Sequence, residues 1–279
     1  MTDPRIKKTT ANLDSERFQS GAEKYAAYLE TPEGRLRLDL ALANLQEFLP
    51  QPTGDLHALD IGCGTGATGV RLTQLGIHVT LMDSSPSMLD FAKRAAEEVG
   101  VSDRIALKQG EAAQLASIFQ PGSFDIILCH NVLEYVEDPN AVLFAAARIM
   151  RNSSAILSVV VRNQAGEILK AAIQAGDLVA AENGLRAEWG VESLYGGRVR
   201  LFTPDALQAM LKAASLAVIA ERGVRVVSDY LPSQVSRTTE YERIFDLERS
   251  LGRRPEFAAV ARYTQYLVRR ADPTIRNDA

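Results

Sequence analysis

Short apolar runs alternate with amphipathic segments through the middle of the chain. The candidate strands are His57–Ile61, Ile77–Met82, Ile105–Lys108, Phe124–His130 and Ser154–Val161. Helical patterns lie between them, one ending near Leu75, one running from a Ser84 or Ser85 cap to Val99, and one over Asn140–Met150. Five alternations within about 105 residues predict an α/β fold, with a doubly wound, mostly parallel, Rossmann-like sheet and helices on both faces.

Both ends of the chain depart from this alternation. Residues 1–20 are a polar start, and Gly34–Leu49 has a helical pattern, so residues 1–50 are expected to form an N-terminal helical segment over the binding site. Residues 51–279 are expected to form one domain, with 163–202 as an insertion after the fifth strand, on the substrate side. The insertion has a helix-like pattern over Gly166–Ala181. The remaining predicted elements are a helix over Ala206–Ala214 capped near Thr203, a helix over Glu240–Leu251, and strands at Leu216–Ile219 and Tyr263–Val268.

Composition and charge narrow the class of protein. The 279 residues are 46% hydrophobic and 24% charged, as in ordinary globular proteins. A net charge of −4 argues against coating long nucleic acids, although a local basic patch remains compatible with it. Two cysteines and no apolar run of roughly 18 residues favour a cytoplasmic protein without a membrane span. The three histidines and two cysteines lack ligand spacing, so no metal is expected.

A glycine-rich loop follows the first strand. It reads Asp60-Ile61-Gly62-Cys63-Gly64-Thr65-Gly66, and such a loop allows the backbone to approach a ligand closely. In the dinucleotide fingerprint the last glycine falls three positions after the second, whereas here it falls two positions after. The spacing therefore disfavours a pyrophosphate.

Polar residues at the ends of the next strands extend this site. Asp83 ends the second strand 23 residues after Asp60, where a carboxylate can accept both hydroxyls of a ribose. After the third strand, Glu111 and Ala112 are placed to read an adenine edge. His130 ends the fourth strand. Together these positions indicate a nucleoside-containing ligand.

These residues resemble the class I methyltransferase family over roughly Leu56–Val161. The matching elements are Leu59–Gly66, Asp83 and Phe124–Leu128. The resemblance implies S-adenosylmethionine as cofactor, bound along the carboxyl ends of the strands. The cofactor residues that it and the strand-end positions suggest are Arg37, Asp60, Gly62, Cys63, Gly64, Gly66, Asp83, Ser84, Met88, Glu111, Ala112 and His130.

The flanking segments resemble the bacterial tRNA carboxymethoxyuridine methyltransferase subfamily. They are Thr31–Arg37, His130–Pro139, Arg162–Gly166, Gly223–Leu231 and Tyr241–Glu248. The resemblance implies methylation of a uridine-5-oxyacetate carboxylate at the wobble position of tRNA. It also implies that Arg37 contacts the methionine carboxylate and that His130 lies beside the cofactor.

The chemistry of the acceptor leaves alternatives open. A carboxylate needs a cation rather than a base, and Arg200 and Arg225, with Tyr195 or Tyr230, are the candidates. For an alcohol or amine acceptor, His130 would be the base. Trp189 could stack on a base or an apolar substrate.

Three classes of function compete for the chain. The first is a tRNA methyltransferase. The second is a small-molecule O- or N-methyltransferase of secondary metabolism, motivated by the acidic pI and by the absence of a dense lysine run between Asn183 and Thr203. The third is a cofactor-binding module without catalysis. The acceptor is thus either tRNA or a small molecule, and the sequence leaves the oligomeric state open.

Overall fold

A seven-stranded sheet forms the centre of the protein, seen in a computed structural model that describes residues 21–50, 55–192, 194 and 196–271. The strands are β1 (His57–Ile61), β2 (His78–Asp83), β3 (Ile105–Gln109), β4 (Ile126–His130), β5 (Ile156–Arg162), β6 (Trp189–Val191), β7 (Arg198–Arg200), β8 (Leu216–Val224) and β9 (Tyr263–Arg270). The main sheet has the order β3-β2-β1-β4-β5-β9-β8, and β6 and β7 form a separate hairpin. Strands β1 to β5 are parallel, and β9 is antiparallel to both neighbours. The predicted mostly parallel, Rossmann-like α/β sheet is confirmed.

Two layers of helices cover the sheet. The helices are α1 (residues 21–30), α2 (Pro32–Gln46), α3 (Ala67–Thr73), α4 (Pro86–Glu98), α5 (Leu115–Ile118), α6 (Pro139–Ile149), α7 (Gln164–Leu169), α8 (Leu178–Gly184), α9 (Pro204–Ala213), α10 (Tyr241–Gly252) and α11 (Pro255–Ala258). Helices α5, α6 and α9 pack together in one layer, whereas α10, α2, α3 and α4 follow one another in the other. Strands β4 and β5 lie between the layers and are buried almost throughout, which explains their continuous apolar sequence.

Several helices begin with the same local device, a capping side chain followed by proline. Thr31, Ser85, Asp138 and Thr203 each accept a hydrogen bond from the backbone N–H three residues later. Proline follows each of them at the first helical position, where no intrahelical N–H is needed. The start of α4 therefore lies at Ser85, the second of the two predicted caps.

The insertion differs from the expected single helix over 166–181. Helix α7 passes into a π-helical turn over Lys170–Gln174, and α8 begins only after Asp177. Gly176 has a φ of 65°, which ends the helical path, and Asp177 accepts from the N–H of Ala180 to start the next helix. The Gly-Asp pair was the sequence signal for this break.

The order of the strands positions a crevice. Strands β1 and β4 lie side by side at the centre of the sheet. From β1 the chain continues to β2 and β3 on one side, and from β4 it continues to β5 on the other. In open α/β sheets, ligands bind beyond the carboxyl ends of the strands at such a switch point. In this chain the glycine loop follows β1 at that point.

Two structural statements concern the described part of the chain as a whole. No helix within it is long and apolar enough to cross a bilayer. Within the same residues, no three His, Cys, Asp or Glu side chains are arranged to hold a metal ion. The predicted polar start over residues 1–20 lies outside the described residues.

Candidate functional site

A cavity of about 510 Å³ lies at the carboxyl ends of the central strands. That volume is within the usual range for small-molecule sites. One end is bordered by the glycine loop and the ends of β2 and β3, and we call it the cofactor half. The other end, the acceptor half, is bordered by the π-helical turn, the end of β8 and the start of β9.

Glycine is required in the loop for two reasons. Gly64 and Gly66 have φ values of 55° and 77°, a region that L side chains rarely adopt. A Cβ on Gly64 would also lie 2.9 Å from Cε1 of Tyr25, and one on Gly66 would lie 2.8 Å from Cβ of Ala92. The loop was predicted to leave this space to a bound ligand, whereas side chains of helices α1 and α4 lie next to Gly64 and Gly66.

Asp83 holds the glycine loop against the end of β2. Its Oδ2 accepts from the N–H of Gly64 at 2.9 Å, and its Oδ1 accepts from the N–H of Ser85 at 2.9 Å. Burial raises the pKa of this carboxyl group. Each oxygen keeps a second lone pair, so the residue can still accept hydroxyl groups from the cavity, which it lines.

A second carboxylate, Asp60, lies behind the loop. It is 4% exposed, and burial together with the nearby Asp83 raises its pKa to about 7. Asp60 and Cys63 border a smaller cavity of about 30 Å³, which also touches Gly62 and His130. A negative charge at Asp60 is therefore costly unless a cation lies nearby.

Arg37, on α2, provides a test of whether the site suits an anionic ligand group. Its guanidinium is buried and donates to Oδ1 of Asn131 at 3.1 Å and to the hydroxyl of Tyr25 at 2.9 Å. Among the described residues, no carboxylate lies within ion-pair distance of it. A buried guanidinium without a counter-ion fits a ligand carboxylate, such as that of a methionine moiety.

Most of the predicted cofactor residues meet at one cavity. Those that line it are Arg37, Gly62, Gly64, Asp83, Ser84, Met88, Glu111, Ala112 and His130. Asp60 and Cys63 border the smaller cavity, and Gly66 begins α3 as its N-cap. Their individual roles toward the cofactor remain predictions.

His130 is held by a buried relay of side chains. The amide nitrogen of Gln265 donates to Oγ of Ser158 at 2.9 Å, and Oγ of Ser158 lies 2.7 Å from Nε2 of His130. The hydroxyl can accept from Gln265 and still either donate to or accept from Nε2, so the direction of this bond depends on the tautomer of the imidazole. Burial, with a contribution from Arg37, lowers the pKa of His130 to about 3. The imidazole is therefore neutral and a weak base.

Charged side chains surround the acceptor half. Glu167 pairs with Arg162 at 2.9 Å and with Arg262 at 2.6 Å, and Asp229 pairs with Arg225. Arg162, Arg225 and Arg262 line the cavity. Arg225 has a φ of 62°, and strained backbone of this kind is commonly found at functional sites.

Lys170 also lines the acceptor half, from the π-helical turn. Burial lowers its pKa, and no carboxylate among the described residues lies within ion-pair distance of its ammonium group. Four cations thus face this half against the carboxylates of Glu167, Asp229 and Glu192. Lys170 is the cation whose charge is available to a ligand.

Tyr263 lies among the arginines at the start of β9. The guanidinium carbons of Arg37, Arg162 and Arg262 are 5.7, 5.8 and 5.8 Å from its ring centroid. Burial alone would raise the pKa of this phenol, but the surrounding guanidiniums, that of Arg225 included, lower it to about 8. The lowered value reports a strongly positive potential in this half of the cavity.

Glu134 lies on the loop after β4, at the junction of the two halves. Its Oε1 accepts from Nδ2 of Asn131 and from the N–H of Arg162, whereas its buried Oε2 has no hydrogen-bond partner in the described part of the chain. Burial raises its pKa. A protonated Oε2 could therefore donate to a ligand oxygen.

The predicted acceptor residues separate in the structure. Arg225 lines the cavity, whereas Arg200 and Tyr230 do not. The guanidinium of Arg200 lies over the ring of Trp189, and the hydroxyl of Tyr230 donates to the carbonyl of Gly166. Tyr195 lies outside the described residues. Their roles toward an acceptor remain predictions.

No acceptor role was predicted for four residues that line the acceptor half, which are Arg162, Lys170, Arg262 and Tyr263. A signal existed for Arg162, because it directly follows the predicted fifth strand, Ser154–Val161. No sequence signal located Lys170, because the unbroken helix predicted over Gly166–Ala181 did not indicate which way its side chain faces.

Comparisons with known proteins agree with this geometry. A family described as a methyltransferase domain matches residues 52–194, slightly more than half of the chain. The tRNA 5-carboxymethoxyuridine methyltransferase of Escherichia coli strain K12 is 29% identical over 266 residues, covering 92% of this chain and 97% of that protein. A ubiquinone biosynthesis O-methyltransferase of Colwellia psychrerythraea is 35% identical over 97 residues, covering 35% of this chain and 38% of that protein.

A solved structure shares the fold. An S-adenosylmethionine-dependent methyltransferase of Thermotoga maritima superposes with a TM-score of 0.59 at 15% identity, covering 92% of this chain and 99% of that chain. The family match includes the five parallel strands and the glycine loop that borders the cavity. The chain therefore belongs to the methyltransferase domain family and is an S-adenosylmethionine-dependent methyltransferase.

Proposed function

We propose that this enzyme methylates a carboxylate, and that its acceptor is the carboxymethoxy group of a modified wobble uridine in tRNA. The observation that carries the proposal is the acceptor half of the cavity, where Lys170 faces the ligand space without a carboxylate partner among the described residues. A carboxylate is an anion at neutral pH, so it meets a complementary charge there. The resemblance to the Escherichia coli tRNA enzyme over 92% of the chain supports the tRNA part of the proposal.

The arginines of this half have a supporting role. Arg162, Arg225 and Arg262 are each paired with Glu167 or Asp229, so their positions are fixed by ion pairs before an acceptor arrives. Fixed cations stabilise a bound anion without a reorganisation cost. In this proposal the three arginines make the electrostatic potential of the acceptor half positive, and Lys170 contacts the acceptor carboxylate directly.

The protonation of His130 favours a carboxylate over an alcohol acceptor. An alcohol must lose a proton during transfer, and a base must receive it. Burial lowers the pKa of His130 to about 3, so its imidazole is a weak base, and Nε2 is already hydrogen-bonded to Ser158. A carboxylate oxygen needs no base, so the state of His130 is compatible with it.

The residues then act by alignment. When bound, S-adenosylmethionine would supply a methyl group on a sulfonium to the acceptor oxygen, with the sulfur as leaving group. Lys170 would orient the acceptor carboxylate, while Asp83 and Arg37 would hold the nucleoside and the methionine carboxylate. Tyr25 and Tyr28 would cover the site from α1 and exclude water.

The domain organisation forms part of the proposal. In it, the N-terminal helical segment closes over the cofactor site and residues 163–202 form the substrate-side insertion. Tyr25 and Tyr28 from α1 and Arg37 from α2 line the cavity, which supports the first part. Lys170 and Gln174 from the insertion line its acceptor half, which supports the second.

The decisive experiment supplies the enzyme with tRNA from cells that make carboxymethoxyuridine but lack its methyl ester. We expect nucleoside mass spectrometry to show the ester after incubation with S-adenosylmethionine. tRNA from cells that cannot make the carboxymethoxy group is the matched control. Absence of the ester, with cofactor binding intact by calorimetry, would overturn the tRNA proposal and leave the small-molecule alternative.

A substitution at Lys170 tests the carboxylate contact. Lys170→Met should raise KM for the acceptor by roughly 10- to 100-fold, the range for a lost charge-assisted hydrogen bond. Cofactor affinity should change less than about twofold, since Lys170 lies in the acceptor half. Lys170→Arg should recover part of the loss, and Lys212→Met, at an exposed lysine on α9, is the control. Equal kinetics for both Met variants would contradict this role.

A further inference from the structure

The β6–β7 hairpin presents an outer face with an unusual set of side chains. The register pairs Trp189 with Arg200 and Val191 with Arg198. Because side chains alternate between the faces of a strand, these four residues share one side. Val199, on the other side, is fully buried. We call the four residues the hairpin outer face.

This face is open and cationic. Trp189 is 37% exposed and Val191 78% exposed. The guanidinium carbons of Arg198 and Arg200 lie 4.7 and 4.8 Å from the centroid of the tryptophan ring. Among the described residues, no carboxylate lies within ion-pair distance of either arginine, so their charges are available to a partner.

The hairpin is joined to residues that line the cavity, although its four outer-face residues do not line the cavity themselves. The N–H of Arg200 donates to the carbonyl of Glu134 at 3.1 Å, which fixes β7 to the loop that lines the cavity. Beyond the end of β6 at Val191, Glu192 and Leu194 also line the cavity. A substrate that enters the acceptor half and extends outward would therefore meet this face.

The combination of groups favours one class of partner. Aromatic rings and guanidinium planes stack on unpaired bases, and arginines contact phosphates. The two arginines favour a polyanionic partner by charge complementarity. The exposed ring of Trp189 favours a polyanion with unstacked planar bases. A single-stranded RNA segment satisfies both requirements.

We propose that the hairpin outer face binds the nucleotides that flank the modified base in the anticodon loop, with Trp189 contacting a base and Arg198 and Arg200 contacting phosphates. The inference rests on the proposed tRNA function and names the surface that distinguishes tRNA from a free nucleoside. It also explains how a chain of net charge −4 binds RNA. The required positive charge is local, beside the cavity.

The test compares two acceptors that share the carboxylate. One is tRNA carrying carboxymethoxyuridine, and the other is the carboxymethoxyuridine nucleoside alone. The variants are Trp189→Ala and the double variant Arg198→Ala/Arg200→Ala. The matched control is Arg94→Ala/Arg243→Ala, which removes the same charge at exposed arginines on α4 and α10.

We expect kcat/KM for tRNA to fall by about tenfold or more in both hairpin variants. For the nucleoside it should stay within about twofold of the unsubstituted enzyme, and the control should behave like that enzyme on both acceptors. The slope of log affinity against log salt for tRNA should decrease by about two in the double arginine variant. Unchanged tRNA kinetics, or equal losses on both acceptors, would overturn the proposal.

Direct binding separates this proposal from the proposed function. Fluorescence anisotropy of a labelled, unmodified anticodon stem-loop measures RNA binding without any methyl transfer. Weaker binding by the hairpin variants than by the control would support the surface even if no acceptor is methylated. If the enzyme methylates the nucleoside but binds no RNA, the hairpin proposal fails while the carboxylate proposal stands. Binding of anionic lipid vesicles in place of RNA would also overturn it.

Discussion

At the scale of single residues, the main feature of the site is its set of buried ionisable side chains. Arg37 is a buried cation without a carboxylate partner among the described residues, and Asp60 and Asp83 are buried acids with raised pKa values. Uncompensated buried charge is costly, so these groups favour a ligand that carries both signs. S-adenosylmethionine, with its sulfonium, ammonium and carboxylate groups, is such a ligand.

The role of Asp83 yields the first prediction. Asp83→Ala should weaken binding of S-adenosylmethionine by about 1.5–3 kcal/mol, the range for a hydrogen bond to a charged group. It should also lower the thermal midpoint, because the N–H groups of Gly64 and Ser85 lose their acceptor. Calorimetric titration and thermal unfolding measure the two effects. An unchanged cofactor affinity would rule out a ribose contact.

Tyr263 yields a prediction about pH. Its pKa of about 8 means that it becomes a phenolate within the working range and cancels part of the positive potential in the acceptor half. We therefore expect KM for an anionic acceptor to rise as the pH increases from 7 to 9. Tyr263→Phe should flatten that rise, because no ionisable hydroxyl remains. Identical pH profiles for both proteins would show that another group is responsible.

At the scale of elements, buried polar side chains connect strands and helices that the hydrophobic pattern cannot align. Gln265 on β9 donates to the carbonyl of Ala41 on α2 and to Ser158 on β5, and it accepts from Nδ2 of Asn44. Each of its amide hydrogens thus has a partner. This network fixes the side chain of His130 at the end of β4.

The network predicts a non-additive response to substitution. Gln265→Leu should lower the free energy of unfolding by about 2–4 kcal/mol, because it leaves Asn44 buried without an acceptor. The double variant Asn44→Leu/Gln265→Leu should be less destabilised than the sum of the single variants, since no amide is then left unpaired. Chemical denaturation of the four proteins measures the coupling. Strict additivity would contradict it.

The same scale shows where sequence patterns succeed. Strands β1, β2 and β3 were predicted to within one residue at each end, because their runs are bounded by glycine or polar residues. The break between α7 and α8 was not predicted, although Gly176 and Asp177 encode it locally. Strands β6 and β7 were not predicted either, since three-residue strands contain too few alternations to detect.

At the scale of the whole molecule, the buried acid Asp60 links stability to pH. Its pKa in the folded protein is about 7, compared with about 3.9 for an exposed aspartate. Between these values the folded chain retains a proton that the unfolded chain has lost. Ionisation of Asp60 is less favourable in the folded protein than in the unfolded chain. Asp60 therefore lowers the free energy of unfolding as the pH rises from about 4 to 7.

Replacing Asp60 removes this effect. In Asp60→Asn the free energy of unfolding should fall less steeply between pH 4 and 7. The slope should change by at most about 1.4 kcal/mol per pH unit for one proton. Urea denaturation at several pH values measures the slope. The exposed Asp90→Asn is the control, and it should leave the slope unchanged. Equal slopes for both variants would assign the pH dependence to other groups.

The sequence by itself determined the fold class and the cofactor. Strand and helix periods are local, and the glycine loop followed at a set distance by Asp83 is a pattern of short spacings. Such features can be recognised in the sequence because each depends on residues that are close together along the chain. His130 was located by its position at the end of a predicted strand, whereas Arg37 was located only through the family resemblance.

Only the tertiary structure decided which cations line the acceptor half of the cavity. Arg162, Lys170, Arg225 and Arg262 come from four separate segments and meet because β5, β8 and β9 lie side by side. Their ion pairs with Glu167 and Asp229 decide which charges are neutralised, and Lys170 is left without a carboxylate among the described residues. Arg200, chosen from sequence, lies instead against Trp189. Pairing depends on distances in space, and sequence separation does not encode them.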